Sequence, residues 1–258
     1  MDPLSQGVLG AAAPKSVAPP EHARIAALFG FLAGMAPDLD VFIRSSTDPL
    51  LFLEYHRQFT HALVFIPVGG LLCGWLLHLL FGKRRGLSLR RSIFYSTLGY
   101  ATHALLDACT TYGTQLFWPF SDTRIAWNTV SVIDPLFTLP ILLLIVVSVI
   151  RRNAVLARIA LAWAVAYPVI GLVQRDRAEA VGWELARSRG HEPLYLEAKP
   201  ASPIWFCGRL FMNTMTTITS TRSGYWQMAK SIPATRCRSW TCSGTSPGSI
   251  TNYSRPGT

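Results

Sequence analysis

Long apolar runs, broken by short charged or polar stretches, dominate the first 175 positions of the chain. Four of them, residues 62–82, 93–109, 132–150 and 156–173, reach or approach the roughly 20 helical residues that cross about 30 Å of hydrocarbon. A fifth, residues 25–37, is shorter and is interrupted by Gly30 and Gly34, as in a short or re-entrant span. In lipid every backbone polar group must be satisfied within the segment, so such runs fold as helices. The pattern predicts an all-α, polytopic membrane protein with about five transmembrane helices. The opening MDPLSQGVLGAAAPKS lacks the basic stretch and continuous apolar core of a cleavable signal peptide, so the spans themselves are expected to lead insertion.

Composition agrees: half of the 258 residues are hydrophobic and 15% are charged. The net charge of +10 would suit a nucleic-acid partner, but six of the excess positive charges fall in the tail after residue 206, which has no acid. In the body the dense clusters are Lys83, Arg84, Arg85, Arg90 and Arg91, then Arg151, Arg152 and Arg158. Both lie between spans, where basic residues fix topology, so no nucleic-acid partner is expected and membrane lipid is. Five cysteines show no paired spacing, and Cys73 and Cys109 fit as packing residues.

With both basic loops in the cytoplasm, five spans place the N-terminus inside as well. The ligand-type side chains then gather at the outer face. Asp38 and Asp40, in P-D-L-D, close the first span. His56 and His61, in H-R-Q-F-T-H, precede the second, and His103 and Asp107 lie in the outer half of the third. Asp134 opens the fourth, whereas His78 sits near the inner interface. Ionisable groups are costly at the edge of a bilayer and mark function by default.

His103 and Asp107 are four apart and leave one helix face, as two ligands of one ion do. His56 and His61 converge only if their loop bends, and Asp38 and Asp40 share one side if the chain after Pro37 is an extended turn. Each motif has a plainer explanation: an Asp cap, a surface loop, or a structural His103–Asp107 hydrogen bond. Together they favour a divalent-metal site built from Asp38, Asp40, His56, His61, His103 and Asp107. Mixed imidazole and carboxylate ligands suit Zn first, with Mn and Fe as the other fits. Arg57 is placed either to neutralise an anionic substrate group or to snorkel to the interface. Asp122 and Arg124 either line the mouth of the site or pair with each other, and Phe117, Trp118 and Trp127 suit an interfacial belt.

These motifs carry a resemblance. The opening M-D-P-L-S-Q-G-V-L-G-A-A, then G-M-A-P-D-L-D-V, H-R-Q-F-T-H, H-A-L-L-D-A-C-T-T-Y-G-T-Q-L-F-W-P-F-S and I-D-P-L-F make residues 1–175 similar to the YdjM-type family. Its members are described as LexA-binding, inner-membrane, metal-dependent hydrolases. One departure is Ala62, where the family commonly has Ser. The resemblance implies a membrane-bound hydrolase in the inner membrane. The expected activity is metal-assisted hydrolysis of a phosphoester or ester in an amphiphilic substrate. Arg57 and Asp40 would act in catalysis, the latter as general base, and Arg57 and Arg124 in substrate binding. The alternative is a non-enzymatic metal-binding membrane protein or transporter.

The domain expectation is a helical unit over residues 1–175, an outer linker or helix over 176–206, and an anomalous tail over 207–258. Eighteen of those last 52 residues are Ser or Thr. Such a tail is explained either by disorder or by a shifted reading frame.

Overall fold

The computed structural model describes residues 1–43, 56–192 and 194–200, and the backbone of two later strands. Among the described residues six helices run alternately up and down. They are α1 (Pro3–Val17), α2 (Ala23–Met35), α3 (Ile66–Leu77), α4 (Leu89–Ala108), α5 (Pro135–Ile150) and α6 (Ala154–Ser188). Short 3-10 turns extend α2 at both ends, so that Pro20–Phe42 forms one apolar run of 23 residues. The region expected to be a short or re-entrant segment is therefore long enough to cross a bilayer. Leu63–Arg85 and Ala154–Ser188 are long and apolar enough as well, and α5 is a shorter apolar helix.

The first helix lies outside the expected spans and corrects where the N-terminus was placed relative to the site. Asp2 caps α1 by accepting from the Ser5 amide at 3.0 Å, and Pro3 supplies the preset φ of a first helical residue. The α1 sequence is rich in Gly and Ala and carries Gln6, Pro14 and a fully buried Lys15, so it lacks the continuous hydropathy of a span. It is nevertheless packed inside the bundle. Gln6 donates to Asp107 near the end of α4, and the carbonyl of Ser16 accepts from Arg158 near the start of α6. The start of α1 thus lies at the end that carries Asp107, not at the end with the basic turns. An N-terminus and an Asp/His site on opposite faces, as the five-span reading had them, do not hold.

Glycine contacts explain how α1 enters the core. A Cβ on Gly30 would lie 2.2 Å from the carbonyl oxygen of Gly10, and one on Gly99 would lie 2.4 Å from that of Gly30. Helices α1, α2 and α4 therefore meet backbone to backbone. Apolar clusters fill the remaining contacts: Val8, Ala12, Phe137, Ile141, Ala157 and Tyr167 join α1 to α5 and α6. Leucines at 71, 72, 76 and 143, with Val165 and Val169, face outward. Such broad exposed apolar faces suit lipid contact.

At 35 residues α6 is roughly 52 Å long, well beyond the hydrocarbon thickness. It runs unbroken across residue 175, and its charged last third packs Ala178 and Trp183 on Leu196 and Ala198 of β1 (Tyr195–Pro200). Antiparallel pairing adds β2 (Gly208–Thr214) and β3 (Thr217–Ser223) in the order β1-β2-β3. Residues 224–258, most of the Ser/Thr-rich tail, lie outside the described residues.

Candidate metal centre

Three elements bring the ligand-type residues together at one end of the bundle. The P-D-L-D segment is not an extended turn but a 3-10 turn, Ala36–Phe42, continuing α2. With three residues per turn, positions two apart point to faces about 120° apart. Asp38 and Asp40 consequently diverge. Asp38 joins His61, His103 and Asp107, and one ligand atom from each lies within 4.8 Å of all the others. Asp40 turns instead to the loop that carries His56.

The second element is the bend through His56 and Arg57. Arg57 takes a positive φ of 62°, unusual for a non-glycine residue, and its backbone is held on both sides. Its amide donates to Asp40 Oδ2 at 3.0 Å, and its carbonyl accepts from Gln115 at 3.1 Å. Asp40 also accepts from Thr60 Oγ1 at 2.9 Å and from His56 Nδ1 at 2.8 Å. One buried carboxylate thus folds the loop, so that the 3-10 turn Phe59–His61 delivers His61 inward while His56 stays at the rim. The third element is α4, which presents His103 and Asp107 one turn apart.

The two imidazoles meet at their Nε2 atoms, 2.9 Å apart. His103 Nδ1 donates to the Gly34 carbonyl at 2.6 Å, which assigns its proton to Nδ1 and leaves Nε2 as a lone pair. On His61, Nδ1 lies 2.9 Å from Thr60 Oγ1, whose own proton goes to Asp40, so Nδ1 again donates. Two neutral imidazoles would then face each other lone pair to lone pair, which is repulsive unless a cation is shared. Asp107 Oδ2 is buried without a hydrogen-bond partner and lies 3.3 Å from His61 Nε2. Asp38 Oδ1 lies 3.6 Å from His61 Nε2 and 3.3 Å from His103 Nε2.

Ligands about 2.0 Å from a tetrahedral ion are about 3.3 Å from one another. Five of the six separations, 2.9–3.7 Å, bracket that value, and all lie within 4.8 Å. The residues fit a metal ion. Without one, a proton must take its place. Burial alone opposes protonation of His61, but the carboxylates of Asp107, Asp38 and Asp40 outweigh it and push its pKa up to about 10.

Around the cluster the carboxylates are neutralised from outside. Arg57 Nε lies 3.3 Å from Asp107 Oδ2, its Nη1 donates to Thr110 Oγ1 at 3.3 Å, and the guanidinium stacks 5.2 Å from the Tyr112 ring. Gln6 Nε2 and the α-amino group of Met1 both donate to Asp107 Oδ1. Asp107 thus commits Oδ1 to Gln6 and Met1, while Oδ2 faces the imidazoles with the Arg57 guanidinium beside it. His61, His103 and Asp107 are wholly buried, while the Asp38 side chain is 27% exposed, so the cluster opens to the surface beside Asp38.

Of the six residues singled out as ligands, four converge and two do not. Asp40 and His56 form a hydrogen-bonded pair alongside. Arg57 touches the cluster, and Arg124, at the rim, donates to the His56 carbonyl at 3.4 Å. Asp134 belongs elsewhere: it caps α5 and accepts from Tyr167 at 2.9 Å. Gln6 and Thr60 were missed. A lone amide in a Gly/Ala helix, and a threonine next to a ligand histidine, were the available signals.

Six described helices with a largely buried Asp/His cluster at one end define a polytopic helical membrane protein with a site able to hold a metal ion. The chain belongs to the YdjM inner membrane protein family, whose model matches residues 1–178. It is 36% identical over 107 residues to inner membrane protein YbcI of Escherichia coli strain K12, covering 40% of this chain and 60% of that protein. It is 27% identical over 111 residues to the uncharacterized protein YfhP of Bacillus subtilis strain 168, covering 43% of this chain and 33% of that one. The chain thus spans less than two thirds of either relative. No solved structure matches.

Proposed function

We propose that the protein is a membrane-bound, metal-dependent hydrolase of the inner membrane, with its site on the outer face. The observation that carries this reading is the pair of facing Nε2 lone pairs beside Asp107 Oδ2, which accepts no hydrogen bond, in a buried cluster exposed at Asp38. Asp38, His61, His103 and Asp107 would hold the ion. Two imidazoles and two carboxylates suit Zn, with Mn or Fe next. A bound divalent ion lowers the pKa of water and polarises a scissile group.

The chain's own residues divide the remaining work. Asp40 has four donors around it, so it orients rather than accepts a further proton: it holds the His61 ring and the His56 ring. His56, at the rim, takes the acid–base role that the sequence suggested for Asp40. Arg57 balances the charge of Asp107 and, with Arg124 at the mouth, favours an anionic group. A site at the lipid boundary suits an amphiphilic phosphoester or ester. The reading as a transporter finds less support, since among the described residues the buried carboxylates and imidazoles gather at one end instead of lining a path.

The test is purified full-length protein assayed for bound metal, then for turnover of phosphoesters and lipid esters with and without chelator. Turnover that chelator abolishes and added Zn restores is the expected result. Bound metal with no turnover of any substrate would favour the non-enzymatic reading.

A further inference from the structure

The end of the bundle opposite the cluster carries chemistry that the hydrolase reading does not use. The turn between α3 and α4 places Lys83, Arg84, Arg85, Arg90 and Arg91 within nine residues, all of them exposed. No acid occurs between Glu54 and Asp107, and among the described residues none of the five cations forms an ion pair. Arg91 reaches the His22 ring, at 3.4 Å. Arg151 and Arg152, also exposed, join them from the turn between α5 and α6. Glu21, in the turn before α2, lies near Tyr95, as Arg91 does. Arg90 and Arg91 also stand in the first turn of α4, where the helix dipole disfavours positive charge. A surface built this way carries uncompensated self-repulsion.

Directly beside the cations, Leu79, Leu80, Phe81, Leu89 and Phe94 face outward and are 39–52% exposed. The cationic collar therefore sits where an apolar, lipid-facing wall ends. Along α4, Arg91 and Asp107 are roughly 24 Å apart, so collar and cluster occupy opposite margins of the hydrocarbon.

We propose that this collar is a binding surface for the headgroups of anionic phospholipids. The apolar wall orients the acyl chains, and the guanidinium forks meet the phosphates in charge-assisted pairs. A soluble polyanion would find the same charge but no use for the wall. Basic residues at a membrane surface each contribute roughly fivefold to binding of anionic lipid, so neutralising two lowers it about 25-fold.

The experiment titrates the full chain, in neutral detergent, with phosphatidylglycerol and with phosphatidylcholine, and counts bound lipids by native mass spectrometry. At least tenfold preference for phosphatidylglycerol is expected, weakening as salt is raised. In R84Q/R85Q and in R90Q/R91Q the preference falls toward parity. In R187Q/R189Q, which neutralises exposed arginines past the other end, it stays. Equal binding of the two lipids by the natural chain would overturn the proposal. So would a preference that survives both collar variants, or an oligonucleotide that displaces phosphatidylglycerol at equal concentration. None of these outcomes depends on metal or turnover.

Discussion

At the scale of single residues, hydrogen-bond direction separates the proposed ligands from the side chains that support them. His61 and His103 each donate a hydrogen bond from Nδ1–H and turn Nε2 inward, while His56, at the rim, spends Nδ1 on Asp40. His61→Asn and His103→Asn are expected to lose the bound ion almost entirely, whereas His56→Asn keeps it at wild-type stoichiometry, as measured by elemental analysis. Asp40→Asn, which loosens the support of His61, is expected to weaken metal affinity about 10- to 100-fold. The proton on His61 sets a pH dependence. Its folded pKa of about 10 exceeds the unfolded value of about 6.5, so in ion-free protein this group's stabilisation is complete below pH 6.5 and fades as pH rises through 10. An entering ion must displace that proton. Zn affinity should rise about tenfold per pH unit between pH 7 and 9 and release about one proton per ion, by calorimetry in buffers of differing ionisation enthalpy. A flat affinity would contradict this. The residue types were legible in advance, because carboxylates and imidazoles at a bilayer margin are too costly to be incidental. The division into four converging side chains and two beside them was not, since Asp38 and Asp40 separate only through the 120° step of a 3-10 turn.

At the scale of elements, close packing of glycine carries the site. The Gly34 carbonyl can receive the His103 proton only because α2 and α4 touch at Gly30 and Gly99. Gly99→Ala would push these backbones apart. A loss of about 1–3 kcal/mol is expected, together with weaker metal binding, both read from thermal unfolding in detergent with and without Zn. Three helices long and apolar enough to cross a membrane, and the shorter α5, were recognisable from hydropathy because leucine, isoleucine and valine cover their outer faces. Helix α1 was not, because a helix buried among other helices needs small residues more than apolar ones, and tolerates Gln6 and Lys15. Missing it misplaced the N-terminus relative to the site.

At the scale of the whole molecule, the cluster ties the end of α2, the loop before α3 and the end of α4 into one unit. Removing an ion should therefore loosen the entire bundle, by about 4 kcal/mol if free metal stood at a thousand times its dissociation constant. Chelation is expected to lower the unfolding temperature of the natural chain and to leave that of His103→Asn unchanged. The most direct test of the four-residue centre is X-ray absorption at the zinc edge of the loaded, full-length protein. The account predicts only nitrogen and oxygen neighbours at about 2.0–2.1 Å, with the outer scattering of two imidazoles, one of which disappears in His103→Asn. Sulfur in the first shell, or a spectrum that His103→Asn leaves unchanged, would contradict it.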